Sequence, residues 1–438
     1  STYYRELLPR LAATDKYNIS ELGCVPNPWS EILMEDMSLK PIYNVKIGDK
    51  VITHTGRSQL ITNVFKKQYN GKVVRIAREF IGGVGLFVTA NHPILVIKKS
   101  DAYVSHRCFR KNLQFHWVMA DDISVGDFIA YGVTNHSKTN SICNVDSYGI
   151  NFDLDDDMAL FFGWYLAEGS IIKHRSFGIN GLSLCGSLNE NEKNLAKKIM
   201  DIVHSKFHIN GSYIERPTEG VWEYHITNRP LAMAILGLLG GSSHDKFIDS
   251  RLHLARFDFK AKMLAALFEG DGGCLAGRNE VYFKTVSRRL AQNVCFILND
   301  MGIRTSLSKI NSRLKEKIYE GYRIACSGPT SGIIAKNMAY KNLNYMPRNL
   351  TREETISIGD NLLFSKVTQI HKEQYEGDVY NLEVANDDSY ICDGFVIHNS
   401  YATPTDPRIQ SFINGRWKFY GPNFTRRRKN SKWGRLQS

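Results

Sequence analysis

Three short segments, far apart in the chain, carry residue types that together could rearrange peptide bonds. The first contains Cys24, preceded by Gly23. The second is VTANHPI, in which two residues separate Thr89 from His92. The third segment, VIHNS, supplies three consecutive residues: His398, Asn399 and Ser400.

The first steps of such chemistry follow from the residue types. The Cys24 thiol can attack the preceding Gly23 carbonyl and convert the amide into a thioester. This step is uphill unless the amide is twisted or its nitrogen is protonated, so a nearby His92 is the required acid. Thr89 can hold the geometry or donate a hydrogen bond to the oxyanion. The Ser400 hydroxyl can then take the acyl group from the thioester.

The last step uses the other two residues of the third segment. Asn399 can cyclise through its own side-chain amide and release the chain behind it, and His398 is placed to assist. Each residue is ordinary alone, since a lone cysteine is usually a small buried hydrophobe. Only the combination indicates peptide-bond rearrangement.

The elements that must position these residues are β-strands. From Cys24 to about Tyr131, short β-branched and aromatic runs such as KVVRIAREF and GLFVTANHPILVI alternate with turn residues. Strand character returns after Asp360, in SKVTQIHK, GDVYNLEV and SYICDGFVIHN. Many short strands without a long helix predict a compact all-β unit.

The intervening segment, from about Leu154, is mixed α/β and repeats itself. Its helical runs are DMALFFGWYLAEG, NEKNLAKKIMDIVHSKF and FKAKMLAALFEGDG. The stretches 160–170 and 263–273 align with each other, with small residues at i and i+4 followed by a carboxylate and glycine. The aligned pairs are Gly163 with Ala266, Ala167 with Gly270, Glu168 with Asp271, and Gly169 with Gly272.

Small residues on one helix face let two backbones approach closely, so both carboxylates should emerge together at one end of the helix pair. Two like charges at the negative ends of two helix dipoles repel each other, and a divalent cation resolves the conflict. Oxygen ligands such as Glu168 and Asp271 suit Mg²⁺. The alternative is that the two carboxylates are merely polar helix ends.

A strand-like run and then a helix follow each copy, in LSLCGSLNENEKNLAKKIM and VYFKTVSRRLAQNVCFIL. Two copies related by a pseudo-twofold axis match the near-symmetry of duplex DNA, and a two-stranded β ribbon fits the major groove. Carboxylates that bind Mg²⁺ between two scissile phosphates could then hydrolyse phosphodiesters.

The repeat resembles the LAGLIDADG homing endonucleases, with both motif copies in one chain, over about residues 154–350. The resemblance implies a monomeric endonuclease that cleaves a long, asymmetric double-stranded DNA site with Mg²⁺-activated water, Glu168 and Asp271 being the metal ligands. It also implies a catalytic lysine, Lys246 in SSHDKFIDS, although Asp249 follows Ile248 where relatives carry proline. Lys341 is the weaker counterpart in the second copy.

The all-β part resembles an intein, a self-splicing element of the Hint fold, from Cys24 to Asn399. The fold class expected is a mostly β Hint (hedgehog/intein) horseshoe, split by an α/β LAGLIDADG domain with pseudo-twofold symmetry. The resemblance implies catalytic roles for the junction residues and splicing in cis without a cofactor. Inteins often carry aspartate where Asn381 stands, and a neutral Asn381 could form a hydrogen bond but could not deprotonate Cys24 or Ser400.

This reading divides the chain into five parts. They are an N-extein fragment at 1–23, the N-terminal part of the splicing domain at 24–135, the endonuclease at 150–350, the C-terminal part of the splicing domain at 360–399, and a C-extein fragment at 400–438.

Composition excludes several classes. The chain has 438 residues, 43% of them hydrophobic and 23% charged, and a formal net charge of +12. These fractions are typical of globular proteins, and the apolar runs are too short to span a bilayer. The eight cysteines form no CxxC pair, which fits a reducing compartment, cytoplasmic or nuclear.

Three alternatives stay open. The endonuclease domain could be a decayed passenger that binds DNA without cutting it, the β domain could process without ligating, or the whole chain could be a basic, non-catalytic DNA-binding protein.

Overall fold

The structure of the protein is a computed structural model. The residues that it describes are 17–18, 23–78, 81–82, 85–105, 108–109, 113–132, 141–174, 178–275, 280–303, 305–314, 317–327, 329–340, 355–358, 362–399 and 403–404.

Strands dominate the described residues, which confirms the prediction of a mostly β protein. In chain order, the strands of the first third are β1 (Tyr17–Asn18), β2 (Glu31–Leu33), β3 (Leu39–Pro41), β4 (Lys50–Ile52), β5 (Ser58–Arg78), β6 (Ile81–Gly82), β7 (Leu86–Thr89), β8 (Pro93–Ile97), β9 (Tyr103–Ser105), β10 (Cys108–Phe109), β11 (His116–Met119) and β12 (Phe128–Gly132). Those of the middle are β13 (Asn144–Ser147), β14 (Ile150–Asp153), β15 (Gly169–His174), β16 (Gly178–Ser187), β17 (Ser212–Arg216), β18 (Val221–Ile226), β19 (Gly272–Leu275), β20 (Glu280–Thr285), β21 (Thr305–Leu314) and β22 (Lys317–Ser327). The last are β23 (Thr355–Ile358), β24 (Leu362–Val384), β25 (Ser389–Cys392), β26 (Phe395–His398) and β27 (Thr403–Pro404).

The helices concentrate in the middle of the chain. They are α1 (Lys99–Ala102), α2 (Asp156–Glu168), α3 (Glu190–Phe207), α4 (Arg229–Leu239), α5 (Ser250–His253), α6 (Phe257–Gly270), α7 (Arg288–Asp300) and α8 (Gly332–Ala335).

One large sheet joins strands from both ends of the sequence. Its path runs β3-β2-β25-β26-β8-β12-β24-β5-β4, with β7, β11 and β23 attached at the side. The longest strands, β5 and β24, pair antiparallel over most of their length, from Arg78 opposite Val367 to Ile61 opposite Val384. The sequence suggested two runs where β24 is one continuous strand. Because of this pairing, residue 381 lies next to strands from the first third of the chain.

The last hairpin of the sheet in chain order sets the position of Asn399. Strands β25 and β26 pair from Cys392 opposite Phe395 to Ser389 opposite His398. Asp393 and Gly394 turn the chain between them with positive φ values of 50° and 84°. An Asp-Gly pair favours this two-residue turn because glycine adopts such angles without strain.

The middle of the chain consists of two similar units. In each, a long helix (α2 or α6) leads into a hairpin (β15–β16 or β19–β20), then a second helix (α3 or α7), a second hairpin (β17–β18 or β21–β22) and a third helix (α4 or α8). The first sheet has the order β15-β16-β18-β17 and the second β19-β20-β22-β21-β6. This order matches the predicted repeat, and the predicted helical runs lie in α2, α3 and α6.

Local sequence explains where these helices begin. The Asp155 carboxylate accepts the backbone N–H of Met158 at 3.0 Å, and Asn228 accepts that of Leu231 at 2.9 Å. Such side chains satisfy backbone donors that have no partner within the helix. Both copies share one apolar core, in which α2 and α6 pack side by side, with Phe161, Trp164 and Phe268 fully or almost fully buried.

The helical units are in direct contact with strands from the first third of the chain. Strand β6 pairs in parallel with β21, with Ile81 opposite Leu307. The side chain of Gln292 on α7 donates a hydrogen bond to the Glu31 carboxylate on β2. No helix among the residues described combines the length and the apolar character needed to cross a membrane.

Candidate functional site

The peptide bond between Gly23 and Cys24 and the next peptide bond along the chain are both held by Thr89. The Cys24 backbone N–H donates to the hydroxyl of Thr89 at 2.8 Å, and the Thr89 backbone N–H donates to the Cys24 carbonyl at 2.9 Å. The Thr89 hydroxyl in turn donates to the amide oxygen of Asn91 at 2.7 Å. Of the two sequence-based options for Thr89, this arrangement favours holding the geometry, because its hydroxyl proton points to Asn91.

The Cys24 thiol is buried, with 1% of the residue exposed. Its apolar surroundings include Val379, Phe65 and Tyr375. Burial raises the pKa of the thiol to about 12, and the positive charge of Lys67 opposes the shift. The sulfur is therefore a protonated thiol at neutral pH and must lose its proton as it attacks.

His92 packs directly against this peptide bond. A methyl group at Gly23 would lie 2.6 Å from the Cα atom of His92, so only glycine leaves room for this contact. Burial lowers the pKa of His92 to about 3; the neighbouring His398 adds to the shift, and backbone groups of Cys24 and His398 oppose it. Neither ring nitrogen has a hydrogen bond of normal geometry to another described residue. The ring is neutral and lies between the two junctions.

Asn399, at the C-terminal junction, is fully buried. Its side-chain N–H donates to the Val384 carbonyl at 3.0 Å, and its backbone N–H donates to the Asp388 carbonyl at 2.9 Å. The Nδ1 atom of His398 contacts the Asn399 carbonyl oxygen. Because a carbonyl only accepts, Nδ1 must carry the proton in this contact. This N–H polarises the carbonyl at which the chain would be cut.

The ring of His398 is fixed by an aromatic contact. The Trp117 ring meets it edge-on, with the ring centroids 4.7 Å apart. Burial lowers the pKa of His398, whereas the Asn399 backbone and the charge of Asp388 oppose that shift. His398 is thus a neutral hydrogen-bond donor at neutral pH.

Two side chains contribute at the N-terminal junction in ways that the sequence did not indicate, namely the contact of Asn381 with Gly23 and the contact of Tyr390 with Asn381. The amide nitrogen of Asn381 donates to the Gly23 carbonyl oxygen. The buried hydroxyl of Tyr390 donates to the amide oxygen of the same asparagine at 2.8 Å. Asn381 had drawn notice only because it stands where inteins often carry aspartate, and Tyr390 gave no signal in the sequence.

A second cluster lies where the α2–α6 pair ends. A methyl group at Gly163 would lie 2.2 Å from the Met263 carbonyl oxygen and 2.7 Å from the Ala266 Cβ atom. One at Gly270 would lie 2.3 Å from the Ala167 Cβ atom. The small residues aligned in the sequence therefore meet in space, as their spacing predicted.

The carboxylates lie at the end of this pair. A methyl group at Gly270 would lie 3.5 Å from the Cγ atom of Glu168, so that side chain extends toward the end of α6, where Asp271 is the capping residue. The Cys185 thiol donates to the Glu168 carboxylate at 3.4 Å.

Lys246 joins this cluster, although its sequence signal came only from the resemblance. Its residue is 4% exposed, and its ammonium donates to the Ala167 carbonyl at 2.9 Å. Burial lowers the pKa of Lys246 to about 8, while the charges of Asp271 and Glu168 oppose the shift.

The donor set of this cluster fits a hard divalent ion, since two carboxylates meet at one helix-pair end beside the buried ammonium of Lys246. Within the described ranges, no group of three or more His, Cys, Asp or Glu residues is placed to hold a metal ion. Two carboxylates alone would leave further ligand positions for phosphate oxygens or water. The predicted residues Ser400 and Lys341 lie outside the described residues.

Comparison with known proteins gives a family for most of the chain. A family model described as the intein splicing domain matches residues 30–399. An uncharacterised protein of Methanocaldococcus jannaschii is 24% identical, over 90% of this chain and 52% of that protein. The ATP-dependent DNA helicase Hel308 of Thermococcus kodakarensis is 23% identical, over 82% of this chain and 35% of the helicase. An iron–sulfur cluster assembly SufBD family protein of Mycobacterium tuberculosis is 23% identical, over 87% of this chain and 43% of that protein. The chain thus spans about half or less of these relatives.

Solved structures similar to parts of the chain include two kinds of protein. The homing endonuclease I-DmoI in complex with DNA and manganese has a TM-score of 0.32 and 11% identity, over 44% of this chain and 99% of that chain. A variant of the Ssp DnaB mini-intein has a TM-score of 0.24 and 9% identity, over 86% of this chain and 99% of that chain.

Proposed function

The chain belongs to the intein splicing domain family, and from this premise we propose that it excises itself from a longer polypeptide and joins the two flanking segments. The single observation that carries the proposal is the meeting of both junctions at His92. Its ring packs on Gly23, and on the other side the neighbouring His398 lowers the pKa of this ring. Self-excision requires this proximity, because the acyl group must pass from one junction to the other.

The first step is an acyl shift at Gly23. The Cys24 sulfur bonds to the Gly23 carbonyl carbon, the carbon–nitrogen bond breaks, and the thiol proton ends on the released amine of Cys24. His92 packs against Gly23 and lies beside the Cys24 backbone, so it is placed to relay a proton to the leaving nitrogen. Thr89 holds the leaving nitrogen through its hydroxyl.

The later steps join the flanks. The Ser400 hydroxyl takes the acyl group from Cys24. The Asn399 amide nitrogen then attacks its own backbone carbonyl, closes a succinimide ring and releases the amine of Ser400. His398 donates to that carbonyl oxygen and stabilises the negative charge that develops there. An oxygen-to-nitrogen acyl shift finally restores a peptide bond between the flanks.

Intact-mass analysis of the freshly expressed chain over time tests this proposal. We expect two products, the excised segment 24–399 and a ligated peptide of 62 residues, since 1–23 and 400–438 contribute 23 + 39. Cleavage at both junctions without ligation would instead indicate processing alone. In the Cys24→Ala variant, N-terminal cleavage should stop while slow Asn399 cyclisation continues. Release of the N-terminal flank from that variant without added thiol would contradict the assignment.

We further propose that the helical units form a site-specific DNA endonuclease. The observation that favours it is the close α2–α6 packing, which brings Glu168 and Lys246 together at the end where Asp271 caps α6. Glu168 and Asp271 would hold Mg²⁺, which when bound supplies Lewis-acid chemistry and an activated water for phosphodiester hydrolysis. Lys246 is positioned to stabilise charge or carry a proton beside them.

A plasmid that carries the coding sequence of the joined flanks tests the second proposal. With Mg²⁺ present, the purified protein should linearise this plasmid and leave a plasmid without the site intact. Glu168→Gln and Asp271→Asn should abolish cutting and leave splicing unchanged. If the unaltered protein binds the site but does not cut it, splicing is the remaining activity and the endonuclease has decayed.

A further inference from the structure

Asn381 occupies a position from which it can act on the reacting carbonyl. It is fully buried on β24, and its amide nitrogen donates to the oxygen of Gly23. That oxygen is the atom on which negative charge develops when Cys24 attacks. The contact spans 358 positions in the sequence and exists because β24 passes beside the N-terminal junction, where Val25 and Tyr380 exchange backbone hydrogen bonds at 2.7 and 2.9 Å.

The orientation of the Asn381 amide is fixed by its other contacts. Its oxygen accepts the backbone N–H of Leu382 at 2.7 Å and the hydroxyl of Tyr390 at 2.8 Å. If the amide were rotated by half a turn, its NH₂ group would face the Leu382 N–H, and its oxygen would face the Gly23 carbonyl. A donor would then face a donor at Leu382, and an acceptor would face an acceptor at Gly23, so the rotated orientation is excluded.

Tyr390 strengthens that orientation. Its ring is fully buried. Burial raises the pKa of its hydroxyl well above the usual range, so the group stays protonated and remains a donor. The hydroxyl pulls electron density toward the Asn381 oxygen, which makes the amide N–H a better donor.

We infer that Asn381 is a catalytic residue of the acyl shift that donates to the oxyanion at Gly23, and that Tyr390 is its positioning residue. This inference rests on the splicing function proposed above. As sulfur bonds to the Gly23 carbon, the carbonyl oxygen gains negative charge, and the Asn381 N–H is already aimed at it. When the carbon–nitrogen bond breaks, the charge returns to the carbonyl and the hydrogen bond weakens again.

The charge state of this residue matters. A carboxylate at position 381 would place a negative oxygen against the oxygen that becomes negative, and it could donate only when protonated. The carboxamide donates at every pH. The acyl shift in this chain should therefore not depend on the protonation of residue 381.

The experiment measures thiol-induced cleavage at Gly23–Cys24 in a full-length precursor that carries Asn399→Ala to block the other junction. Asn381→Ala should lower the cleavage rate by about 10²–10³-fold, the usual effect of removing one oxyanion donor. Tyr390→Phe should lower it by about fivefold, because the amide loses one of two orienting partners. Gln369→Ala is the matched control, since it truncates an exposed carboxamide on the same strand.

The Asn381→Asp variant supplies a readout that a purely structural role would not move. Its rate should rise as the pH falls and the carboxyl becomes protonated, while the rate of the parent does not rise in this way. Near-ultraviolet circular dichroism and Asn399 cyclisation in a Cys24→Ala background show whether each variant is folded.

The outcomes separate this inference from the splicing proposal. No thiol-dependent cleavage in the Asn399→Ala parent overturns the proposed function itself. Cleavage in the parent, together with an Asn381→Ala rate within threefold of it, overturns the role of Asn381 alone. A folded Asn381→Asp variant whose pH profile parallels that of the parent does the same.

Discussion

Adding one methyl group at Gly163 should separate the two central helices. In α2 this methyl would lie 2.2 Å from the Met263 carbonyl oxygen on α6 and 2.7 Å from the Ala266 Cβ atom. A carbon and a carbonyl oxygen approach each other to about 3.3 Å. The helices must therefore move apart by about 1 Å, since the closest atom belongs to the backbone and cannot rotate away.

Two opposing contributions decide the free energy of unfolding of Gly163→Ala. Overpacking in a well-packed core costs about 1–3 kcal/mol. Replacing glycine by alanine inside a helix gains about 1 kcal/mol. Overpacking dominates, because the strained contact lies along the line where the helices touch. Because the contact is with the backbone, we take the upper part of the overpacking range, about 2–3 kcal/mol, so the free energy of unfolding should fall by about 1–2 kcal/mol.

The assay is urea unfolding monitored by circular dichroism at 222 nm. The protein is a precursor that cannot splice because it carries Cys24→Ala and Asn399→Ala. Nearly all helical residues described lie in the middle of the chain, so this signal reports on the two helical units. Gly273→Ala is the control, because the nearest atom to a methyl group there is the Tyr282 hydroxyl at 4.0 Å. A Gly163→Ala variant as stable as the Gly273→Ala variant, with unchanged DNA cutting, would refute the close-packing argument.

Three further predictions concern the two sites. Lys246→Met should lower DNA cutting by about 10²-fold or more, measured on a plasmid with the target site. It should leave splicing unchanged, because the ammonium is bonded to the Ala167 carbonyl at the end of α2, beside the charges of Glu168 and Asp271. His398→Phe should slow Asn399 cyclisation by about 10²-fold in a Cys24→Ala background, measured by intact mass. Thiol-induced cleavage at Gly23–Cys24 in an otherwise unaltered precursor should stay within threefold of the rate without the substitution. Equal losses of rate at both junctions would contradict this prediction. The acyl shift should change little between about pH 6 and pH 9, because burial keeps His92 neutral, with a pKa of about 3, and keeps the Cys24 thiol protonated, with a pKa of about 12, over this whole range. If a thiolate formed before the attack, the rate would instead rise by about tenfold for each pH unit. The rate of hydroxylamine trapping of the thioester, measured across this pH range, distinguishes the flat profile from the rising one.

The junction residues could be predicted because the chemistry restricts residue type. Only a thiol or hydroxyl can take the acyl group, and a carboxamide next to the scissile bond can cyclise, so Cys24 and Asn399 stand out once they are considered together. The helix register was equally accessible, since the four-residue spacing of small residues places them on one face. The contacts of Gly163 and Gly270 follow from that spacing.

The contact of Asn381 with Gly23 and the presence of Tyr390 beside it could not be found in this way. Both residues lie in buried strands whose sequence is typical of a sheet interior, and their function depends on pairing across more than three hundred residues. Lys246 shows the same limit, since a lysine is normally exposed and only the packing of α2 beside it reveals its burial. The sequence restricts what each residue type can do, whereas the long-range contacts determine which residues do it.

The groups of the splicing site share one electrostatic property. At neutral pH the Cys24 thiol is protonated, the rings of His92 and His398 are neutral, and Asn381 carries no charge. Burying neutral reacting groups avoids the large cost of desolvating ions. It also means that charge appears only as the reaction proceeds, on the Gly23 and Asn399 carbonyl oxygens. Each of these oxygens already has a neutral N–H donor, so the site stabilises the developing charge without holding a charge beforehand.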